Sequence, residues 1–529
     1  STIVRSGTMT VTDPDPKNPG FLRVSSRNPR YFEFANGEFF YPVGHNLRSP
    51  SDRRPRALSR AAEDNADRAD RLGVFVYREW FEKMHQCGAN FTRVWMAPWW
   101  CGLEWNNRYP GYHGIAYYNQ QNAARLDTIM QFAQQYRIYV NLETANHGMF
   151  STLIDHDWED NPYNKAWPGG FLEYATDFFR NLRAWNLHRQ RLRYTVARWG
   201  YSPALAIWGL LTETEWTEAW TRSLSWVASK RLGKRKDLPQ PYPSQRYTRY
   251  VEKWLTNMSQ FIAKTDAHPH IITTHFSNPQ NGTKVWKHKE LQVVHNNAYT
   301  SFVHLWMQER FRNSSGVADI ISTYADYYSS QYKKPVILGE WGGHPARNTA
   351  EHLCAEFHTG LWVCWMSKLS GATGYWWWNL LDSANLYPHY RAFSRYIQGE
   401  DRRNYQKLKT SQPRLNFPEL LMLDNADRHA RILYSRNTLW GYIFNTKINR
   451  ERTSIFPRSF DDKRFEASGI GILELPADFE NGKYSLEYWN TFTGQVIDKF
   501  NITIDATHKT IPIMSHRVDL AIKLKPLKP

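Results

Sequence analysis

The sequence predicts a (β/α)8 barrel followed by a C-terminal antiparallel β-sandwich. Three observations carry that expectation. Strand-length apolar runs alternate with helix-like segments from about residue 21 to about residue 412, the pattern of an alternating β/α fold. Beyond about residue 412 the runs shorten and turn signals separate them, as in an all-β unit. Finally, two apolar runs, Ala206-Ile207-Trp208-Gly209-Leu210-Leu211 and Pro335-Val336-Ile337-Leu338-Gly339, lead abruptly into Glu213 and Glu340. Buried parallel strands read as continuous apolar runs, and the C-terminal ends of barrel strands carry the chemistry of such folds.

In chain order, residues 1–20 are polar and proline-rich (Asp13-Pro14-Asp15-Pro16-Lys17-Asn18-Pro19-Gly20) and read as a linker or the remnant of something upstream. Strand-like runs follow at 39–43, 91–96, 138–142, 205–211, 271–274, 291–294, 336–338 and 372–377. Helix-like segments lie between them at 126–136, 178–199, 247–265, 320–331 and 350–368. Eight strands with intervening helices fit a closed barrel over 21–412. A doubly wound open sheet is the alternative, but it wants a glycine-rich phosphate loop after an early strand, and none is present. Residues 45–72 read as a long charged loop after the first strand, of a length that is usually functional or disordered. In 413–529, runs at 431–434, 439–444, 471–475, 484–489, 496–500, 509–513 and 518–524 are separated by turns such as Asn481-Gly482 and Thr493-Gly494. This reads as a sandwich of about a hundred residues.

Composition narrows the function. With 529 residues the chain exceeds one ordinary domain, and a barrel of ~250 residues or more plus an accessory module fits it. No uninterrupted apolar stretch reaches the ~20 residues that span a bilayer. The chain opens on Ser1 without a signal peptide. This is read as removal of a leader or of a whole preceding domain, and a secreted or periplasmic location is expected. The four cysteines, Cys87, Cys101, Cys354 and Cys364, match no zinc spacing and form no disulfide framework. A bridge within 87/101 or 354/364 is the alternative to free buried thiols. The net charge of +17 suits an anionic glycan, a nucleic acid or an acidic surface. The basic residues are dispersed apart from a concentration between Arg48 and Arg60, and no nucleic-acid-binding signature accompanies them. The 24 tryptophans say more, because indole offers sugar rings a broad apolar plane with one polar handle; most of them must nonetheless be core.

Paired carboxylates flanking a bond are the machinery of glycoside hydrolysis, ~5–5.5 Å apart in retaining enzymes. The acid must hold its proton, which burial or a neighbouring carboxylate favours. The nucleophile must stay ionised, which an arginine and a hydroxyl donor assist. Arg93, near the end of the second strand, and Tyr299, after His295-Asn296-Asn297-Ala298, supply those types. Singly, each glutamate reads equally well as a strand cap, and Arg93 as a structural ion-pair former. Asn46, His275, Asn297, Trp341, His344 and Tyr387 lie at or just beyond strand ends as further candidate contacts. Trp99, Trp100 and Trp105 read either as aromatic subsites or as packing of a long loop.

In this order, these motifs resemble a clan A retaining glycoside hydrolase of the kind typified by glycoside hydrolase family 5, over about residues 21–388. The resemblance implies Glu213 as acid/base and Glu340, in Gly339-Glu340-Trp341-Gly342, as nucleophile. It aligns Arg93 with the family's second-strand arginine and His147, in Ala145-Asn146-His147-Gly148, with its third-strand histidine. Tyr299 resembles the tyrosine that hydrogen-bonds the nucleophile. Trp378, in Trp376-Trp377-Trp378-Asn379-Leu380, resembles the tryptophan that floors the cleavage subsite. There is one departure. The clan usually carries an asparagine before the acid/base to bind the sugar 2-hydroxyl, and here the residue is Thr212, whose hydroxyl cannot reproduce a planar amide. Thr212-Glu213-Thr214-Glu215 also offers two carboxylates; the family register selects Glu213 and leaves Glu215 as a substrate contact or pKa modulator.

The expected protein is thus a retaining β-glycoside hydrolase acting on poly- or oligosaccharide, with no metal or organic cofactor and with neither nucleic acid nor membrane as partner. Asn297, Thr212, Glu215 and Trp341 are expected to join Arg93, His147, Tyr299 and Trp378 in binding substrate. Thr212 suggests the alternative of a catalytically weak glycan-binding protein on a barrel scaffold. The charge excess suggests uronate-bearing or sulfated glycans, against the plainer reading of a solubilising surface.

Overall fold

A computed structural model describes residues 18–527 apart from 51, 53, 55–57, 222–244, 278–281, 283, 300–315, 344–347, 406, 420–426, 450–455, 458, 460 and 466–468. Most of the expected N-terminal linker, Arg53 and Arg56 of the basic run, and His344 lie outside the described residues. Eight parallel strands form the central sheet: β1 (Val43–Asn46), β2 (Phe91–Trp95), β3 (Tyr139–Glu143), β4 (Leu205–Gly209), β5 (Ile271–Thr273), β6 (Val294–Tyr299), β7 (Val336–Gly342) and β8 (Ala372–Tyr375). From β1 to β5 and from β6 to β8 each strand pairs with its chain neighbour, and β8 returns to β1. Between β5 and β6 the ring closes through the bridge Phe276–Asn296 and the bonds from Gln292 N to Ile272 O (2.9 Å) and Phe276 N to His295 O (3.2 Å) rather than through a ladder. Every residue of β2, β4 and β7 is buried, as a parallel sheet covered on both faces requires.

The covering helices include α1 (Arg60–Leu72), α2 (Val76–Gln86), α3 (Gln120–Tyr136), α4 (Leu182–Trp199), α5 (Gln245–Thr265), α6 (Val317–Gln331), α7 (Ala350–Trp365) and α8 (Tyr387–Ile397). Four expectations are corrected. The sixth strand is not 291–294 but β6, Val294–Tyr299, whose polar His295-Asn296-Asn297 breaks the apolar run. The first barrel strand is not 39–43: Pro42 lacks an N–H, Phe39–Phe40 belongs to a separate sheet, and β1 begins at Val43. The segment 45–72 is not all loop: Ser59 Oγ accepts from Ala62 N–H (3.1 Å) and starts α1, whose buried face is only Ala62, Ala66 and Ala69. The helix expected over 178–199 breaks at Asn181, whose side chain caps α4 by accepting from Arg183 and Ala184 N–H.

A small antiparallel sheet (Leu22–Val24, Phe32–Phe34, Phe39–Phe40) closes the N-terminal end of the barrel. Its Leu22, Phe32, Phe34 and Phe40 pack with Phe91, Ile207, Ile271, Val293 and Ile337 at the strand beginnings. Chemistry is thereby left to the opposite, C-terminal mouth.

The C-terminal unit holds a six-stranded sheet (order Lys409–Ser411, Arg428–Tyr434, Leu439–Asn445, Asp519–Pro526, Gly482–Trp489, Val496–Ile504) and a three-stranded one (Leu415–Asn416, Gly471–Glu474, Thr510–Ile513). Alternate side chains of the larger sheet face opposite ways. Ile432, Ile443, Leu520 and Ile522 join Leu473, Ile511 and Ile513 in the sandwich core. Leu433, Trp440, Tyr442, Phe444 and Ala521 join the core of the barrel. This explains α7, where every residue from His352 to Trp365 is buried, a pattern that requires cover on all sides. Trp362 stacks on Tyr442 (centroids 5.9 Å) and Trp365 meets Trp440 edge-on (6.2 Å). At the centre of this interface His358 Nε2–H donates to Asp519 Oδ2 (2.7 Å), which also accepts from Tyr442 OH (2.6 Å), while Thr491 donates to Oδ1. Burial alone would push Asp519 upward, but His358 and the hydroxyl donors hold it below the usual carboxylate value. All four cysteines are free and buried.

Asp519→Ala leaves His358 and Tyr442 without their buried acceptor, so we expect about 3–5 kcal/mol lower stability, read as a lower urea midpoint. Because the folded-state pKa is depressed, the wild-type contribution is present above the unfolded value of ~3.9 and is lost as pH falls through the lower folded value. The stability gap between wild type and variant should therefore close in acid.

Candidate active site

Arg93 projects from β2 and is 3% exposed. Its Nε donates to Glu143 Oε1 (2.8 Å), Nη1 to Glu340 Oε1 (2.8 Å) and Nη2 to His275 Nδ1 (3.0 Å). Matched donors of this kind offset the cost of burying a guanidinium. Glu143, at the end of β3, lies deep; burial raises its pKa, and Arg93 opposes the rise. Gly209 of β4 makes room for it, because a Cβ there would overlap the Glu143 carboxylate.

The tautomer of His275 follows from its donors. Arg93 Nη2 and the Glu213 backbone N–H (3.0 Å) both point at Nδ1, so the proton sits on Nε2 and is donated to Asn297 Oδ1. Burial, and next the charge of Arg93, hold His275 well below its usual pKa, in the neutral form this network needs. Asn297 is thereby oriented, and its Nδ2 donates to Glu213 Oε1 (2.8 Å).

Glu213 has φ +35° and ψ +55°, a left-handed conformation that costs a non-glycine residue roughly 1–3 kcal/mol. His275 pins it from both sides, since Glu213 N–H meets the ring and Thr214 N–H donates to His275 O (2.8 Å). Burial pushes the Glu213 carboxyl well above its usual range, and the charges of Glu340, Glu215 and Asp155 push it further; Arg93 pulls the other way.

Glu340 is held in the opposite manner. Oε1 accepts from Arg93 and Oε2 from Tyr299 OH (2.7 Å). A bulge in β7 between Leu338 and Glu340 aims it at the mouth. Gly339 is obligatory in that bulge: a Cβ would overlap His275 Nε2 and come within 2.7 Å of His295 Nε2.

No family model matches the chain, and no curated protein matches it. Solved structures do. One described as a glycoside hydrolase is similar with a TM-score of 0.56 and 11% identity, over 97% of this chain and 99% of that one. A glycoside hydrolase family 5 protein from Bacteroides vulgatus is similar with a TM-score of 0.56 and 11% identity, over 97% of this chain and 94% of that one. The barrel and the C-terminal sheets share one fold with these glycoside hydrolases. The likeness is one of fold.

Of the residues singled out from sequence, the structure brings Glu213, Glu340, Arg93, Asn297, Tyr299 and His275 into one network. Thr212 is buried, and its Oγ1 accepts from His147 N–H (3.1 Å) and lies 3.2 Å from His147 Nδ1. His147 in turn stands 3.7 Å from Glu213 Oε2 and 3.3 Å from Asp155 Oδ2, and it foremost holds Asp155 down to about 2. Glu215 is buried, accepting from Ser277 N–H (2.8 Å) and Oγ (2.9 Å), and acts on Glu213 through its charge. Trp341 faces the helix layer, with its Nε1–H on Thr373 O and its ring against Gly360 and Tyr375. Trp378 is buried beside Trp376. Asn46 ties β1 to Gly339 O and Gly374 O, and Tyr387 donates to Asp382. Trp100 and Trp105 are core, whereas Trp99 is 46% exposed.

Glu143 was missed, although Ile138-Tyr139-Val140-Asn141-Leu142-Glu143 repeats the motif of an apolar run ending in glutamate. Asp155 carried no sequence signal. Among the described residues no cluster of histidine, cysteine or acidic side chains could hold a metal ion, and no helix is long and apolar enough to cross a membrane.

Carboxyl titration by 13C NMR should show Glu213 above an ordinary glutamate. Removing a nearby negative charge favours ionisation. Glu340→Gln should therefore lower the Glu213 midpoint, and Glu215→Gln should lower it less.

Proposed function

We propose that this chain is a retaining β-glycoside hydrolase that cleaves poly- or oligosaccharide outside the cytoplasm. The observation that carries the reading is the contrast between its two mouth carboxyls. Glu340 has both oxygens committed to Arg93 and Tyr299, as suits a carboxylate nucleophile. Glu213 is driven by burial and by Glu340 toward the protonated acid. Environments that push two carboxyls apart assign acid and nucleophile. The shared fold and the order of the motifs support the same reading.

In the first step Glu213 protonates the glycosidic oxygen as Glu340 attacks the anomeric carbon, giving a glycosyl-enzyme and a free alcohol. Glu213, now ionised, takes a proton from water, and the hydroxide equivalent displaces Glu340 with a second inversion. Asn297 holds Glu213 at one oxygen throughout. With Thr212 occupied by His147, recognition of the sugar 2-hydroxyl falls to other groups.

Glu340→Gln should abolish turnover. Glu213→Ala should lose about 10²–10⁴-fold on substrates with poor leaving groups and far less on an activated aryl glycoside, and azide should restore activity with a β-glycosyl azide as product. Proton NMR of the first-formed sugar should show retention; an inverted product sinks the mechanism. If azide rescues Glu215→Ala and not Glu213→Ala, the acid/base is Glu215.

Wild-type activity should fall as pH rises through the elevated pKa of Glu213, because the acid form is lost. Glu215→Gln should move that basic limb to lower pH, which a kcat/KM profile on an unactivated glycoside reads directly.

A further inference from the structure

We propose that Arg48 determines the specificity of this cleft by reading an anionic substituent on the glycan, a uronate carboxylate or a sulfate ester. The inference rests on the glycosidase reading and names its substrate class.

Arg48 follows β1 at the mouth of the barrel. Its guanidinium carbon lies over four indoles: Trp99 at 4.7 Å, Trp376 at 5.2 Å, Trp95 at 5.4 Å and Trp378 at 5.7 Å. Cation–π contact satisfies the face of a guanidinium and leaves its N–H edge to find acceptors. Here the edge has none among the described residues. Arg48 Nε is buried without a hydrogen-bond partner, and the nearest carboxylate oxygen, Asp52 Oδ2, is 3.9 Å from Nη2. The side chain as a whole is 17% exposed.

The acids around Arg48 are already engaged. Asp52, Arg54, Asp155 and Glu340 are the charged groups whose fields reach it. Arg54 Nε donates to both oxygens of Asp52 (2.9 Å each), and Arg54 Nη2 donates to Oδ2 as well. Asp155 is held by His147, and Glu340 by Arg93 and Tyr299. Two guanidiniums thus share one carboxylate, and the Arg48 fork is left without a hydrogen-bonded acid at the barrel mouth. Arg54 extends that wall, its guanidinium lying over Trp376 (5.1 Å) and Trp377 (5.6 Å).

A sugar that displaces water from this wall leaves Arg48 both desolvated and unpaired unless it brings an acceptor. A neutral hydroxyl brings a dipole. A carboxylate or sulfate brings two anionic oxygens at the spacing of the guanidinium fork. The half-exposed Trp99 supplies a flat apolar surface beside it for the ring.

The test uses the full chain and matched oligosaccharide pairs of one backbone: a uronide and its methyl ester, and a sulfated glycan and its desulfated form. Calorimetric binding to the cleavage-blocked Glu340→Gln protein and kcat/KM of the wild type are both measured. We expect the anionic member to be preferred by roughly 10–100-fold, the effect of one or two charge-assisted hydrogen bonds. Salt should shrink the preference. Arg48→Gln should collapse the anionic-to-neutral ratio to within about threefold, and Arg48→Lys should recover little of it, because an ammonium lacks the fork. Loss of preference on esterification alone identifies the carboxylate, and on desulfation alone the sulfate. Equal binding of both members by wild-type cleft residues overturns the proposal, as does an Arg48→Gln effect that is the same on both. If Arg48→Gln does not fold, the ester and desulfation comparisons decide alone. Cleavage of the neutral member only, with retention, sinks Arg48 as an anion reader and leaves the catalytic assignment standing. Selective anionic binding without cleavage of any pair does the reverse.

Discussion

A single positive charge, buried where water cannot solvate it, organises this molecule. Arg93 needs acceptors in three directions, and the chain meets that need with Glu143 below, Glu340 above and the neutral ring of His275 to the side. Removing one partner of such a buried pair typically costs 3–5 kcal/mol, so the three positions are fixed with respect to one another. The glycines follow from the same constraint. Gly209 clears space for Glu143, and Gly339 clears it for His275. The strained backbone of Glu213 follows as well, because the His275 nitrogen that receives Arg93 also receives the Glu213 N–H.

From that arrangement two glutamates acquire opposite characters. One is surrounded by donors. The other is largely enclosed against like charge, with an amide on one oxygen. Side-chain chemistry alone does not distinguish them; the groups presented by neighbouring strands do. Thr212 shows the same logic at a smaller scale, since its hydroxyl is defined by the histidine it meets rather than by its place before an acid.

Legibility in the sequence tracks how local the determining force is. The seven runs read in the C-terminal region all become strands there, because short runs and the turns that separate them are local signals. The barrel strands that are purely apolar were equally plain. β1 was misplaced because half of Val43-Gly44-His45-Asn46 is polar, and those side chains are buried by partners contributed from β7, β8 and α8. α1 offers no apolar run to read, because its inner face is three alanines set among charged residues. The N-terminal sheet was unreadable as a plug, since its phenylalanines only make sense against strand beginnings hundreds of residues away. Within the site, residue type and strand end are enough to single out Glu213, Glu340, Arg93 and Tyr299, which share one hydrogen-bond network. The same cues fail for Trp341, where the alternation of a bulged strand decides which way an indole turns, and for Glu143, where only depth separates a buried counter-ion from a carboxyl at the mouth.

The all-round burial of α7 sets a timetable for synthesis. His358 leaves the ribosome 161 residues before Asp519, the acceptor that satisfies it, and Trp362 and Trp365 likewise precede Tyr442 and Trp440. At translation rates of roughly 5–20 residues per second, that delay is on the order of 8–30 s. Throughout it, the nascent barrel presents a naked tryptophan-rich helix beside the strand that bears Glu340. Segments that gain their cover late are the ones that stick to each other or to chaperones. The carboxy-terminal sheets therefore act as the last step of the barrel's own folding, and the yield of native protein should depend on how that interval is protected.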